Sequence, residues 1–307
     1  VSHQPLFVQR QSALGIRFHD LAGGTSLVPG LLVEVFPQAD PRARCRLQPN
    51  GSGLYVAHGI SGLRDFENDA SDDILAPWGR AATSPARGYR VEVRDPLGRF
   101  LPVAFDVDLP IRGLLGALAP WVSPTLPAGW LEDSGSPAVL MLDPFPLFST
   151  PSRPPSAPLA VVYAQMRAHD DPRIPAGALL GVSVEGVPCG IGMADAQGRV
   201  AVMFPYPEPP RPLRTSPSPA HFDFLWTVTL QAFWTPPPVA SPAIPAPDPD
   251  ALPDLRDVLA QLDTPRSVID SLAPVAVPWR LDYRVPLTVR TGGQAPSSAS
   301  YLMLSTA

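Results

Sequence analysis

The sequence predicts an all-β protein: two β-sandwich domains joined by proline-rich linkers, with one or two short helices. Three observations carry that prediction. Extended runs in which apolar and polar residues alternate recur along the chain, divided by Gly, Asn and Asp turn signals roughly every 8–12 residues, as in a sandwich. Proline supplies 43 of the 307 residues, about three times average usage. Such density breaks long helices and favours edge strands, turns and stiff spacers. A credible helical stretch occurs only at Leu255–Leu262, where Asp250 or Asp254 can serve as N-cap.

The length exceeds one small sandwich, and a hydrophobic content of 45% is enough to fill two cores. The boundaries read as an N-terminal sandwich over residues 1–110, a proline-rich connector over 111–156, and a second sandwich over 157–307. The second unit includes a proline-rich loop at 235–253 and a C-terminal hairpin.

In the first unit, Ala13–Asp20 and Gly30–Phe36 read as strands joined by a Gly-Gly turn. Leu31, Val33 and Val35 fall on one apolar face of the second. Asn50-Gly51-Ser52-Gly53 is a strong turn signal before a short strand, Leu54–His58. Tyr89–Arg94 alternates, Asp95-Pro96-Leu97-Gly98 turns, and Arg99–Val107 resumes as strand. In the connector, Gly113–Ala119 is expected to be a short helix and Ala138–Leu142 a buried strand. Phe145–Phe148 is expected to be an anchored apolar segment, and Pro151–Pro158 a stiff spacer.

In the second unit, strands are expected near 159–168, 179–185, 190–194, 199–204 and 224–234. Asp195-Ala196-Gln197-Gly198 reads as the turn of a hairpin, with Asp bonding its own turn and Gly tolerating left-handed dihedrals. In Phe224–Trp234 one face is wholly apolar (Phe224, Trp226, Val228, Leu230, Ala232, Trp234), which marks a central strand. Ser267–Leu272 is expected to form a further helical turn, and Trp279–Arg290 with Ser300–Leu304 a hairpin around Gly292-Gly293. Asp95-x-x-Gly98-Arg99 and Asp195-x-x-Gly198-Arg199 echo each other, as do Pro29–Val35 and Ala178–Val184. Duplication and convergent turn chemistry both account for such echoes.

The net charge is −5 and the pI near 5.5, without the basic excess that nucleic acid requires of a partner. Lysine is absent, all 23 basic residues being arginine, as a G/C-rich genome would give. Val1–Arg10 lacks an apolar secretory core. The apolar run Gly113–Val122 falls far short of the ~20 residues that span a bilayer. A cytoplasmic protein without a membrane-spanning segment is expected, with release as part of an extracellular particle as the alternative.

Cys45 and Cys189 do not make a disulfide framework or a zinc site; two unpaired thiols are expected, with a mutual bridge as the alternative. The acidic loop Asp65–Asp73 is the candidate calcium site. It lacks the glycine and glutamate of an EF-hand loop, so a solvated loop or an arginine-binding surface is the plainer reading. His3, His19, His58, His169 and His221 do not cluster, and His19-Asp20 and His169-Asp170-Asp171 read as strand-end residues. No G-x-S-x-G elbow exists, and Gly190-x-Gly192 is not followed by a helix as a nucleotide loop would be. No catalytic residue, metal ligand or cofactor is therefore assigned. Trp226 and Trp234 fit core, while Trp78, Trp121 and Trp130 sit in proline-rich stretches that can mark a contact surface.

Residues 157–234 resemble the carboxypeptidase regulatory-like (transthyretin-like) β-sandwich. The resemblance rests on Val161–Arg167, on Leu179–Val184, and on Gly192-Met193-Ala194-Asp195 running through Gly198-Arg199 to Phe204-Pro205-Tyr206. It implies a non-catalytic domain that supports folding, attaches to neighbours or binds ligands. The whole chain is also similar to proteins encoded with phage-tail-like contractile injection systems. That similarity rests on Arg17–Asp20, Pro49–Gly59, Leu63–Phe66 and Phe204–Pro207. It implies a structural or adaptor subunit whose partners are other protein subunits, copies of itself included. A carbohydrate- or cell-surface-binding module is the alternative.

Overall fold

The computed structural model describes residues 12–25, 27–63, 87–110, 114–115, 144–156, 158–169, 171–207, 225–236, 251–270, 273–274, 278–291 and 301–305. Within them the chain is all-β, with one short α-helix.

The first unit contains β1 (Gly15–Ile16), β2 (Phe18–Asp20), β3 (Leu32–Pro37), β4 (Cys45–Arg46), β5 (Gln48–Pro49), β6 (Tyr55–Val56), β7 (Arg87–Arg94), β8 (Val103–Leu109), β9 (Leu114–Leu115) and β10 (Phe145–Leu147). One sheet runs β5-β6-β1-β9 and is continued by the β2–β10 pair; the other runs β4-β3-β7-β8. Alternation explains which side chains meet between them: Val33, Val35, Val91, Val93 and Phe105 point in, toward Ile16, Phe18 and Tyr55. Glu34 and Glu92 lie opposite each other on the outer face. Arg44 relieves that like-charge pair by donating to both, at 3.0 and 2.8 Å. Buried Tyr55 keeps its hydroxyl satisfied, donating to the Val28 carbonyl and accepting from the Leu31 N–H.

Part of the stretch expected to be a connector belongs to this sandwich. Leu114–Leu115, read from sequence as helix, is extended and runs parallel to β1; sheet pairing overrides the local preference for a helix. Phe145, Leu147 and Phe148 are buried, as their apolar character implied, and the Phe145 ring stacks on Phe105 at 4.3 Å. Ala138–Leu142 lies outside the described residues.

The second unit contains β11 (Leu159–Ala168), β12 (Leu179–Val184), β13 (Val187–Met193), β14 (Arg199–Pro205), β15 (Leu225–Phe233), α1 (Leu255–Ala260), β16 (Pro265–Arg266), β17 (Ile269–Asp270), β18 (Ala273–Pro274), β19 (Trp279–Asp282), β20 (Leu287–Thr288) and β21 (Leu302–Leu304). Its sheets are β14-β11-β20, with β21 also on β11, and β13-β12-β15 with β16 and β19 on the far edge of β15. Trp226, Val228, Ala232 and Trp234 are buried between the sheets and Leu230 is half-buried, as the apolar face of this strand required.

The Asp195 turn is correctly placed, but it is not a hairpin. β13 pairs with β12 and β14 with β11, so the turn is an arch that carries the chain from one sheet to the other. Glycine makes the arch possible. A Cβ at Gly192 would stand 2.7 Å from the Ala201 carbonyl, and one at Gly190 3.1 Å from Val202. Gly190-x-Gly192 is therefore a close-approach device between facing strands.

Two other expectations are corrected. Val268–Asp270, within the stretch read as a helical turn, is extended: Val268 bridges Leu304, and β17 pairs with β18. The C-terminal segments do not form a hairpin ladder. β19 is antiparallel to β15, whereas β20 and β21 both run parallel to β11 along one edge. They are two pieces of one edge strand, and Thr291 pinches the excursion between them through its N–H to the Tyr301 carbonyl. Gly292-Gly293 lies outside the described residues.

One topology is thus used twice. In each unit the first strand (β1–β2 or β11) is antiparallel to one neighbour (β6 or β14). It is also parallel to a last strand delivered in two pieces, β9 with β10 or β20 with β21. The facing sheets, β4-β3-β7-β8 and β13-β12-β15-β19, are antiparallel throughout and have the same order.

α1 ties the units together. Asp254 is its N-cap, accepting from the Arg256 N–H. Its buried face, Leu255, Val258 and Leu259, joins Leu179, Met193 and Phe233 of the second unit to the core of the first. Pro253 and Asp254 also lie along β8, beside Ala104.

Candidate interaction surface

Among the described residues, the histidines and the acids beside them do not converge. His19 is half-buried in β2, His58 is exposed and its carbonyl accepts from the Cys45 thiol, and His169 is exposed at the end of β11. Asp171 is not poised as a base, since hydrogen bonds from the Arg173 guanidinium and N–H hold its pKa down at about 2. Among the described residues no three His, Cys, Asp or Glu side chains come together as metal ligands. Cys45 and Cys189 are not joined in a disulfide, and burial pushes the Cys189 thiol above its ordinary value. The acidic loop 65–73, His3, His221, Trp78, Trp121 and Trp130 lie outside the described residues.

What the fold does build is a concentration of exposed apolar residues at one end of the second sandwich, with Leu225 on the outer face of β15 and Tyr283 against the inward-facing Trp226. Four chain segments meet there: the β12–β13 turn, the end of β14, the start of β15 and the β19–β20 turn. Their exposed large apolar residues are Val187, Leu225, Tyr283 and Val285, at 63%, 40%, 39% and 53% exposure. These are four of the seven exposed large hydrophobics found among the described residues. Their concentration at one end, and not their mere exposure, marks the surface.

Aromatic rings close the mouth of the sandwich at this end. Tyr206 and Tyr283 meet edge to face at 4.9 Å, and Tyr206 lies 5.4 Å from the buried Trp226. The Tyr206 hydroxyl accepts from the Arg284 N–H at 2.7 Å, and the Arg284 guanidinium stands over the Tyr283 ring. Phe204-Pro205-Tyr206-Pro207 therefore ends β14 by delivering a ring to this cluster.

The backbone is constrained at the same place. Glu185 (φ 50°) and Arg284 (φ 63°) are the non-glycine residues with left-handed backbone among the described residues, and both lie here. Each is held by neighbours: Glu185 donates its N–H to the Thr227 carbonyl and accepts the Thr227 N–H on its carboxylate, while Arg284 is held by Tyr206. Such conformations persist only where surrounding contacts over-determine them.

The sequence pointed to loop tryptophans and missed this surface. The signal available was Leu225, an apolar residue on a strand face that continues with Thr227, Thr229 and Gln231. At the other end of that same face Phe233 is also apolar, and it is buried against the first unit.

No known protein family matches the chain, and no curated protein matches it. Among solved structures the chain is similar to the Bacillus anthracis TIE protein, at 10% identity and a TM-score of 0.22, over 72% of this chain and 28% of that one. The chain thus spans 28% of the length of the protein it matches.

Proposed function

We propose that this chain is a non-catalytic structural or adaptor subunit of a phage-tail-like contractile injection particle, with other protein subunits as partners. The observation that carries the adaptor reading is the constrained apolar end of the second sandwich. A surface held by left-handed residues and cross-segment hydrogen bonds meets a partner without first being ordered, which lowers the cost of association. Residues 157–234 are read as a carboxypeptidase regulatory-like sandwich. The supporting feature is the succession of β11, β12 and β13, then the Asp195–Gly198 turn, then β14 ending at Pro205. The particle itself rests on the sequence similarities at Arg17–Asp20, Pro49–Gly59, Leu63–Phe66 and Phe204–Pro207.

The test is isolation of injection particles from the source cells followed by mass spectrometry and cross-linking. The chain is expected in the particle at fixed stoichiometry, with cross-links from the end of the second sandwich. Its absence from purified, contraction-competent particles would overturn the reading. A carbohydrate- or cell-surface-binding module is the second reading, favoured by the exposed Tyr283 ring. Glycan binding lost on Tyr283→Ala, with folding intact, would select it.

A further inference from the structure

We propose that the β5–β6 turn modifies itself: the Gly51 backbone nitrogen attacks the Asn50 carboxamide, ammonia leaves, and Asn50 becomes aspartate. Asn50 is one of two asparagines in the chain, and the one followed by glycine. It directly follows β5, and its N–H donates to the Leu54 carbonyl at 2.8 Å, which closes the turn. Asn50, Gly51 and Ser52 are all exposed. The electrophile is activated by its surroundings. Asn50 Oδ1 accepts from the Ser52 N–H at 3.0 Å, from the Ser52 hydroxyl at 2.8 Å and from the Leu54 N–H at 2.9 Å. When a nucleophile adds to Cγ, negative charge gathers on that oxygen, and donors already aimed at it act as an oxyanion hole.

The nucleophile is open as well. The Gly51 N–H donates to no described residue and faces the water that must take its proton. Its attack is intramolecular and closes a succinimide ring. Glycine leaves the nitrogen unshielded, although the fold does not demand glycine there: the Gly51 backbone is not left-handed, and a Cβ would meet nothing within 4 Å. Water takes the amide proton as the nitrogen bonds to Cγ; the Cγ–Nδ2 bond then breaks, and Nδ2 leaves as ammonia with a proton from solvent. Water next opens the ring. Addition at Cγ, where the donors stand, breaks the new Cγ–N bond, and the Gly51 nitrogen recovers its electron pair and a proton. An ordinary peptide bond and an aspartate side chain result. Addition at the main-chain carbonyl gives isoaspartate instead, whose longer backbone does not fit the closure of Asn50 on Leu54. The aspartate keeps the same donors as charge-assisted hydrogen bonds, and the hairpin of a long-lived chain gains one negative charge.

The test incubates the intact chain in mildly alkaline buffer, folded and, side by side, unfolded in guanidinium chloride. Ammonia release is measured, and mass spectrometry follows the peptide 47–64 freed by cleavage after arginine, which holds a single asparagine. The folded chain is expected to convert roughly tenfold faster than the unfolded one, and to give aspartate in preference to isoaspartate. Ser52→Ala removes the hydroxyl donor and should slow the folded chain by roughly tenfold, with no effect on the unfolded rate. Ser52→Thr restores the hydroxyl and should restore the rate. Gly51→Ala, which the fold has room for, should slow both states by shielding the nitrogen. Circular dichroism establishes that each variant is folded, and the comparison of folded with unfolded wild type needs no variant at all. A folded chain that converts no faster than the unfolded one, or a folded Ser52→Ala variant as fast as wild type, would overturn the proposal.

Discussion

The Arg153 guanidinium donates to both carboxylate oxygens of Asp20, at 2.9 and 2.7 Å, and so fixes the chain between the two sandwiches to the end of β2. The pair is largely out of solvent, with side-chain exposures of 14% and 7%. Arg153 also reaches Ser149 and lies over the Phe100 ring, while Asp20 accepts the Ala22 N–H. The proline-rich stretch at 151–156 is therefore anchored as well as stiff. Arg153→Ala leaves a buried carboxylate without its cation and should cost about 3 kcal/mol in urea unfolding. The Asp20→Asn/Arg153→Met double variant, with no charge left unpaired, should cost less than the single change.

Two Asp-x-x-Gly-Arg turns provide an internal comparison. Each closes with the Gly N–H on the Asp carbonyl, at 3.0 Å for Gly98 and 2.9 Å for Gly198, and in each the Asp carboxylate accepts from the following Arg. Both glycines have positive φ, 67° and 77°. Their surroundings differ: nothing lies within 4 Å of a Cβ at Gly98, whereas one at Gly198 would meet the Met166 carbonyl at 2.8 Å. Gly98→Ala should cost about 1–2 kcal/mol from backbone strain alone. Gly198→Ala adds a clash with fixed backbone and should cost roughly 3 kcal/mol or more. Equal losses in denaturant melts would show that the turns are interchangeable.

These turns also show where the sequence is legible and where it is not. Asp195 and Gly198 announce a turn because its chemistry is local. Whether that turn joins neighbours in one sheet or crosses between two depends on partners far away in sequence, and β11 and β12 decide for the crossing. The Asp95 turn lies between β7 and β8, which do pair, but residues 99–101 directly after it first bond with residues 148–150. The two turns thus sit at different positions of the shared topology, and their likeness is one of turn chemistry. The echo between Pro29–Val35 and Ala178–Val184 does fall on equivalent strands, β3 and β12. Leu114–Leu115 and the β20–β21 edge were unreadable because short strands take their identity from a distant partner, not from their own pattern. The interaction surface was unreadable because Val187, Leu225, Tyr283 and Val285 come from separate segments, and each alone is an unremarkable exposed residue.

Asp254 makes a pH prediction. Burial pushes its carboxyl above the ordinary value; the Arg256 N–H opposes this, Asp257 adds to it, Arg90 opposes it and Asp106 adds to it. Arg90 is shared, standing 3.0 Å from Asp106 and 3.4 Å from Asp254. A carboxyl whose pKa is raised by folding favours the native state while it is protonated, and that contribution is lost as pH rises through its folded pKa. Asparagine keeps the N-cap and stays neutral. Asp254→Asn should therefore be at least as stable as wild type at neutral pH, and its advantage should shrink as pH falls through the carboxylate range. Melting temperatures from pH 4 to 7 check this; an advantage that grew on acidification would contradict it.

Phe233 and Leu259 make the last prediction, because they belong to a core that neither sandwich owns. Phe233 comes from the second sandwich and Leu259 from α1, and both pack in the cluster that holds Val33, Phe105 and Leu109 of the first. Gln261 secures the same junction, donating to the Gly177 carbonyl and accepting the Thr235 N–H. Sandwiches joined only by a tether move and unfold independently, whereas a shared apolar core couples them. The wild type should therefore melt in a single calorimetric transition. Leu259→Ala, which opens a cavity at the junction, should cost about 2–5 kcal/mol and begin to split that transition in two. Leu281→Ala, wholly within the second core, should lower the transition without splitting it. Two resolved transitions in the wild type would mean that the shared cluster does not couple the units.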